Sequence, residues 1–137
     1  MSLVLDSSIA LAWLYSDEAS AATQEVFDTV LAEQAWVPSL WRLEVANSLQ
    51  VGIRRGRIST EFRDASLADL ALLPIAVDPE TDTFAWSATL RLAERYQLTL
   101  YDAAYLELAQ RLNLPLATLD QQLRAAGGIL GLALLGI

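Results

Sequence analysis

The sequence predicts an α/β fold in which a central parallel sheet is covered on both faces by helices. Three observations predict it. Short apolar runs recur along the chain, and stretches with helical apolar spacing separate them. The first run, Leu3-Val4-Leu5, passes straight into a helical pattern, which is how a β-α-β unit opens. Acidic residues follow three of the runs directly (Asp6, Asp78 and Asp120), at the strand ends where such folds place ligands. With 137 residues, 54% of them apolar, the chain is long enough to bury a core and is expected to form one domain over residues 1–137.

Asp6-Ser7-Ser8 ends the first strand, with Ser7 or Ser8 as the expected cap of a helix carrying Ile9, Leu11, Ala12, Trp13 and Leu14. Ser16-Asp17-Glu18 reads as the start of a second helix, to about Glu33. Ala35-Trp36-Val37 is a strand stopped by Pro38. A helix from Leu40 to Arg55 presents Leu40, Leu43, Ala46 or Asn47, and Val51 on one face, and arginines followed by Gly56 close it. Another starts at Ser59-Thr60-Glu61 and runs to about Leu70; Leu73 to Val77 is the third strand. Thr81 or Asp82 caps one long helix through Tyr96, with Phe84, Ala85, Ala88, Leu92 and Tyr96 inward. The next helix carries Tyr101-Asp102-Ala103-Ala104-Tyr105 and ends at Asn113. Leu114 to Leu119 is a fourth strand, with Asp120 at its end. A short helix from Gln121 closes at Gly127-Gly128, and Leu132 to Leu135 is the last strand.

Composition narrows the chemistry. There is no Cys and no His, which excludes disulfides, Cys/His zinc sites, cysteine nucleophiles and histidine-based triads. All nine basic residues are arginine, so a P-loop lysine is excluded, and so are receiver domains and aspartate-nucleophile phosphatases that depend on one. A net charge of −8 argues against broad electrostatic binding of nucleic acid, but not against a local site where a bound cation inverts the field. The longest apolar stretches fall short of the ~20 residues of a membrane span. The start of the chain lacks the basic region of a secretory signal, so the expected compartment is the cytoplasm.

What remains for catalysis is carboxylates, hydroxyls, amides and arginine. Asp6 and Asp120 follow strands whose carboxyl ends share one sheet edge; Asp102 sits in a helical first turn, and Glu44 lies on a helix face that is otherwise apolar. Singly each has a structural reading: a cap for Asp6 or Asp120, a macrodipole partner for Asp102, a side chain reaching solvent for Glu44. Together they point to a divalent cation, because clustered carboxylates repel one another unless a cation holds them. Hard oxygen ligands suit Mg²⁺ or Mn²⁺, which lower the pKa of water and neutralise a phosphate under attack. Phosphodiester hydrolysis is the expected reaction. Arg54, Arg55 and Arg57 read as a solvated helix end or as contacts to RNA phosphate or to a partner. Trp13, Trp36, Trp41 and Trp86 read as core or interface rather than as base-stacking platforms.

Four segments resemble the PIN-domain ribonucleases, and within them the VapC toxins of prokaryotic toxin–antitoxin pairs. They are Val4-Leu5-Asp6-Ser7-Ser8, Pro38 with Glu44 and Asn47, Leu98-Thr99-Leu100-Tyr101-Asp102-Ala103-Ala104-Tyr105, and Ala117-Thr118-Leu119-Asp120. The resemblance covers nearly the whole chain, and Tyr101-Asp102-Ala103-x-Tyr105 is its most specific piece. It implies an α/β/α sandwich and a Mg²⁺- or Mn²⁺-dependent endoribonuclease. Asp6, Glu44, Asp102 and Asp120 would be the acidic site, Asp6 and Asp102 its firmest ligands, with Asn47 and Thr118 orienting them. It further implies an RNA substrate, a homodimer and an antitoxin whose C-terminal segment lies across the groove. Arg54, Arg55, Arg57 and Arg124 would supply most of the basic surface. Two other readings compete: a non-catalytic protein-interaction module on the same fold, and a ribonuclease-H-like domain. The direct strand-to-helix passage from Leu5 to Ile9 speaks against the latter, which opens with antiparallel strands.

Overall fold

The computed structural model describes all residues, Met1–Ile137. Five short strands form the sheet: β1 (Leu3–Leu5), β2 (Ala35–Val37), β3 (Ile75–Val77), β4 (Leu116–Ala117) and β5 (Leu134–Leu135). Their order is β3-β2-β1-β4-β5, and every neighbouring pair is parallel. Eight helices surround it: α1 (Ser7–Leu14), α2 (Ala21–Glu33), α3 (Trp41–Arg54), α4 (Thr60–Ala71), α5 (Thr81–Phe84), α6 (Ala88–Tyr96), α7 (Leu100–Leu112) and α8 (Gln121–Ile129). This is the expected α/β/α sandwich. No helix is long and apolar enough to cross a membrane.

The strand order explains where a site can form. From β1 the chain adds strands outward on one side, β2 then β3, and then returns to add β4 and β5 on the other. Consecutive connections therefore leave β1 and β4 in opposite directions, and a crevice opens past their carboxyl ends. Asp6 follows β1 and Asp120 lies three residues beyond the end of β4, so both stand at that crevice. The core around it is a continuous apolar cluster, with Leu3, Val4 and Leu5 fully buried. Helix α7 is buried without interruption from Ala103 to Ala109, all round rather than on one stripe. That burial fixes the helix, and Asp102 in its first turn is fixed with it.

Several elements differ from the sequence reading. Helix α2 starts at Ala21, not at Ser16: Ser20 and Thr23 form a reciprocal capping box, with Thr23 N donating to Ser20 Oγ at 3.1 Å and Ser20 N to Thr23 Oγ1 at 2.9 Å. The buried residues of α3 are Trp41, Val45, Leu49 and Gly52, while Leu43 is 76% exposed. A turn of the helix by one residue, about 100°, separates the two faces, and it moves Glu44 to the edge of the core. The single long helix after Asp82 is two helices, broken at Ala85–Ser87. Phe84, before the break, lies over the Arg111 guanidinium at 4.7 Å; after it, α6 buries Thr89 and Ala93, and Trp86 is left 91% exposed. Helix α8 runs through Gly127 and Gly128 to Ile129, and Gly131 at φ +76° makes the turn instead. Gly127 is a packing residue: a Cβ there would lie 2.9 Å from Leu134 Cδ2. The last two strands are also shorter than expected.

A buried ionic cluster, unread from the sequence, joins α7 to the end of β3. Arg111 Nη2 donates to Asp78 Oδ2 at 2.6 Å, and its Nε donates to Glu107 Oε2 at 2.8 Å. Nη1 reaches the exposed Glu80 at 3.1 Å. Asp78 and Glu107 are buried, and the hydrogen bond to Glu107 leads in raising the guanidinium's pKa above its ordinary value.

Candidate functional site

Asp6 is nearly buried and does not cap α1 through its side chain. Nor do Ser7 and Ser8, which are already helical. Instead, the Asp6 carboxylate accepts two hydroxyl protons on Oδ2, from Ser8 Oγ at 2.5 Å and Thr118 Oγ1 at 2.8 Å. Each hydroxyl in turn accepts a backbone N–H from the loop after β4: Leu119 N on Ser8 at 3.0 Å, and Asp120 N on Thr118 at 3.0 Å. The two hydroxyls thus tie the end of β1 to the end of β4 and fix Asp6 beside Asp120. Asp120 caps α8, its Oδ1 accepting from Leu123 N at 2.9 Å. Asp102 is set by the cap of α7, where Thr99 Oγ1 accepts Asp102 N at 3.1 Å. Glu44, in the first turn of α3, accepts on Oε1 from the buried Tyr105 hydroxyl.

Asp6, Asp102 and Asp120 line one open hollow of about 320 Å³ with Ser7, Ser8 and Glu18. Burial raises the pKa of Asp6, Glu44 and Asp102. Neighbouring carboxylates add to the rise: Asp120 acts on Asp6 and Asp102, and Asp6 and Asp102 act on Glu44. The bonds from Ser8, Thr118 and Tyr105 oppose it. The phenol of Tyr105 is pushed far above its usual range, first by burial and then by Asp6 and Glu44, so it stays protonated and donates.

None of the four acids is paired with an arginine. A cation therefore fits the charge of the site. As they stand, no three of the acidic side chains converge tightly enough to chelate one ion. Mg²⁺ tolerates that, since it is held through one or two carboxylates and keeps several waters.

The raised values carry a sign for stability. These acids bind protons more readily in the folded chain than in the unfolded one, so without metal stability falls as pH rises from the ordinary carboxylate range through the raised values. Urea unfolding in EDTA from about pH 4 upward is expected to show a contribution of these acids to the midpoint that declines with pH. Asp6→Asn is expected to flatten that decline; an unchanged slope in the variant would contradict this account.

The remaining sequence-predicted residues divide. Thr118 is fully buried on Asp6. Asn47 is exposed and makes no side-chain hydrogen bond to any of the four acids, so the expected orienting contact is not formed. Arg124 departs from the expected surface role: its Nη1 donates to Thr118 O at 2.8 Å and Leu135 O at 3.0 Å, stitching the ends of β4 and β5 together. Arg57 is paired with Asp17 at 2.9 Å, whereas Arg54 and Arg55 are exposed and unpaired. Tyr101 is 64% exposed. Sequence reasoning missed two polar partners of the site, Ser8 and Tyr105. The signal for Tyr105 was its place one turn after Asp102, on the same side of α7.

The PIN-domain family profile matches residues 3–129. Ribonuclease VapC3 of Pyrobaculum aerophilum is 30% identical over 123 residues, 90% of this chain and 92% of that one. Ribonuclease VapC9 of Mycobacterium tuberculosis is 31% identical over 126 residues, 91% of each chain. Among solved structures, PAE2754 from Pyrobaculum aerophilum aligns with a TM-score of 0.63 at 23% identity, over 92% of this chain and 84% of that one. VapBC2 from Rickettsia felis, bound to a DNA fragment from its promoter, aligns with a TM-score of 0.65 at 13% identity, over 98% and 97%. At those identities the two structures speak for the fold. The chain belongs to the PIN-domain family. Its sequence relatives place it among the VapC proteins of that family.

Proposed function

We propose that the protein is a Mg²⁺- or Mn²⁺-dependent endoribonuclease, the toxin of a toxin–antitoxin pair, acting in the cytoplasm as a single PIN-like domain over residues 1–137. The observation that carries the reading is Asp6, Asp102 and Asp120 lining one hollow at the strand-order reversal, with Glu44 near enough to feel Asp6 and Asp102, and none of the four paired with an arginine. That the VapC relatives are named ribonucleases supports it. Asp6, Asp102, Asp120 and Glu44 would hold the cation. When bound, it supplies charge neutralisation at the phosphate and a lowered pKa for water. Ser8 and Thr118 aim Asp6; Tyr105 aims Glu44; the Leu123 amide aims Asp120. With no histidine in the chain, these carboxylates are also the groups that receive the proton lost by attacking water. The test is cleavage of an end-labelled RNA with Mg²⁺ or Mn²⁺, and its loss in EDTA.

Exposed apolar side chains, among them Leu43 at 76% and Trp86 at 91%, support binding to an antitoxin and to a second copy of the chain. They also favour the second reading, a non-catalytic interaction module. Isothermal titration with Mn²⁺ separates the two: no heat in millimolar excess favours the module.

Tyr105→Phe probes the aim of Glu44. Removing the hydroxyl leaves Oε1 without its partner, and Mn²⁺ affinity is expected to fall about tenfold. Stability is expected to fall by about 1–2 kcal/mol. Titration calorimetry and urea unfolding read the two effects separately, and unchanged Mn²⁺ affinity would reduce Tyr105 to a packing residue.

A further inference from the structure

The carboxylate hollow adjoins a second one. Leu11 and Glu18 line both, so the two hollows adjoin, one at the carboxyl edge of the sheet and the other along α3, and together they are called the groove below. The second hollow, of about 280 Å³, is polar in a different way: Asn47, Ser48, Arg55 and Arg57 line it, and none of the four carboxylates does.

Its floor is built. Gly52 on α3 has no side chain, and a Cβ there would lie 2.8 Å from the Tyr15 hydroxyl, so the glycine lets Tyr15 lie against the helix. The Arg57 guanidinium stacks on the Tyr15 ring, 3.9 Å from its centroid, and is held by Asp17 at 2.9 Å and Glu18 at 3.8 Å. Those two carboxylates neutralise Arg57. Arg55 has no such partner: it is exposed and forms no ion pair. Arg54, its neighbour, is equally unpaired but lines neither hollow. Arg124 is spent on backbone carbonyls. In a chain of net charge −8, Arg55 is thus the one free cation lining the groove that contains the acidic site.

We propose that this second hollow is a nucleotide subsite for single-stranded RNA, holding a nucleotide that flanks the scissile phosphate. Arg55 takes the phosphate of that nucleotide. The outer face of the fixed Arg57 plane receives its base, since guanidinium planes stack unpaired bases. The Asn47 amide and Ser48 hydroxyl offer donors and acceptors to its sugar or base edge. This gives Asn47 a role at the substrate rather than behind Glu44. Single-stranded rather than duplex RNA follows from the shape: a base can be splayed into a hollow only when it is unpaired. The subsite rests on the endoribonuclease reading above.

The test is fluorescence anisotropy of a labelled, mixed-sequence single-stranded RNA. It is run in Ca²⁺ across a salt series, with RNA integrity checked on a gel. Arg55→Ala is expected to weaken binding about tenfold and to shorten the slope of log affinity against log salt by about 0.7, the value of one released phosphate counterion on a single strand. Arg55→Lys is expected to keep most of that slope, and Arg91→Ala, at an exposed arginine of α6 that lines neither hollow, to leave affinity and slope unchanged. In cleavage assays Arg55→Ala is expected to raise KM with kcat nearly constant. RNA binding by the wild type with equal affinity and slope for Arg55→Ala would overturn the subsite alone, as it would if the groove served a protein partner. Equal losses in Arg91→Ala and Arg55→Ala would overturn it too, as a diffuse charge effect. No RNA binding by the wild type would overturn the endoribonuclease reading and the subsite with it.

Discussion

Asp6→Asn is expected to lower RNA cleavage by about 10³-fold or more while leaving the protein folded and more stable. The two effects have separate causes. Both hydroxyl bonds to Asp6 fall on Oδ2, and an asparagine oxygen can accept both, so the tie between the β1 and β4 loops survives. What is lost is the charge and the second oxygen, which becomes an amide donor that cannot ligate a cation. Losing several kcal/mol of cation-dependent stabilisation in the transition state corresponds to that factor. Without metal, the same change removes a buried charge whose pKa is raised by burial and by Asp120. Unfolding free energy at neutral pH in EDTA is then expected to rise by roughly 1 kcal/mol, as when other strained site residues are relieved. Asp102→Asn is expected to behave the same way in activity. Cleavage rates, Mn²⁺ titration and urea unfolding read the three quantities on the same preparations. Undiminished cleavage by both variants would sink the metal-dependent nuclease.

The largest stability effect is expected from Arg111→Met, far from any of the four acids. Methionine keeps much of the volume and removes the charge, leaving Asp78 and Glu107 buried beside each other without a cation. Breaking a buried pair from one side costs about 3–5 kcal/mol. In a chain of this size the midpoint of thermal unfolding then falls by about 10–20 °C. Adding Glu107→Gln to Arg111→Met is expected to recover part of the loss, because one stranded charge is removed. The double-mutant comparison distinguishes stranded charge from lost packing: no recovery would mean that Arg111 acts through its contact with Phe84.

Much of the fold was legible because strands and helices leave different apolar periods. Leu3-Val4-Leu5 and Ala35-Trp36-Val37 are short, apolar and punctuated, and both are strands. The Asn113 stop at α7 was legible too, since asparagine tolerates the left-handed conformation it adopts there at φ +54°. Boundaries were less legible where two signals competed. Ser16 and Ser20 are both caps by type, and only Ser20 has Thr23 in place to complete a reciprocal box. Gly127 reads as a helix stop, yet Leu134 comes from another element and makes it a packing residue. Which stripe of α3 faces inward was not decided by its own residues, because Leu43 and Val45 are equally apolar and only the neighbouring elements choose between them.

For the candidate site, residue types alone narrowed the chemistry. With no histidine, cysteine or lysine, carboxylates, hydroxyls, amides and arginine remained, and Asp6 and Asp120 already stood at the ends of β-like runs. Which groups stand next to them came from contacts between distant parts of the chain. The reversal of strand order between β1 and β4 put Asp6 beside Asp120; the all-round burial of α7 brought Tyr105 to Glu44; and the arginines sorted into a stitch, a stack and one free cation in the groove. The physical reason is separation along the chain. Residue type and local period are fixed by a few neighbours, whereas the bond from Thr118 to Asp6 spans 112 positions and exists only once the sheet has formed.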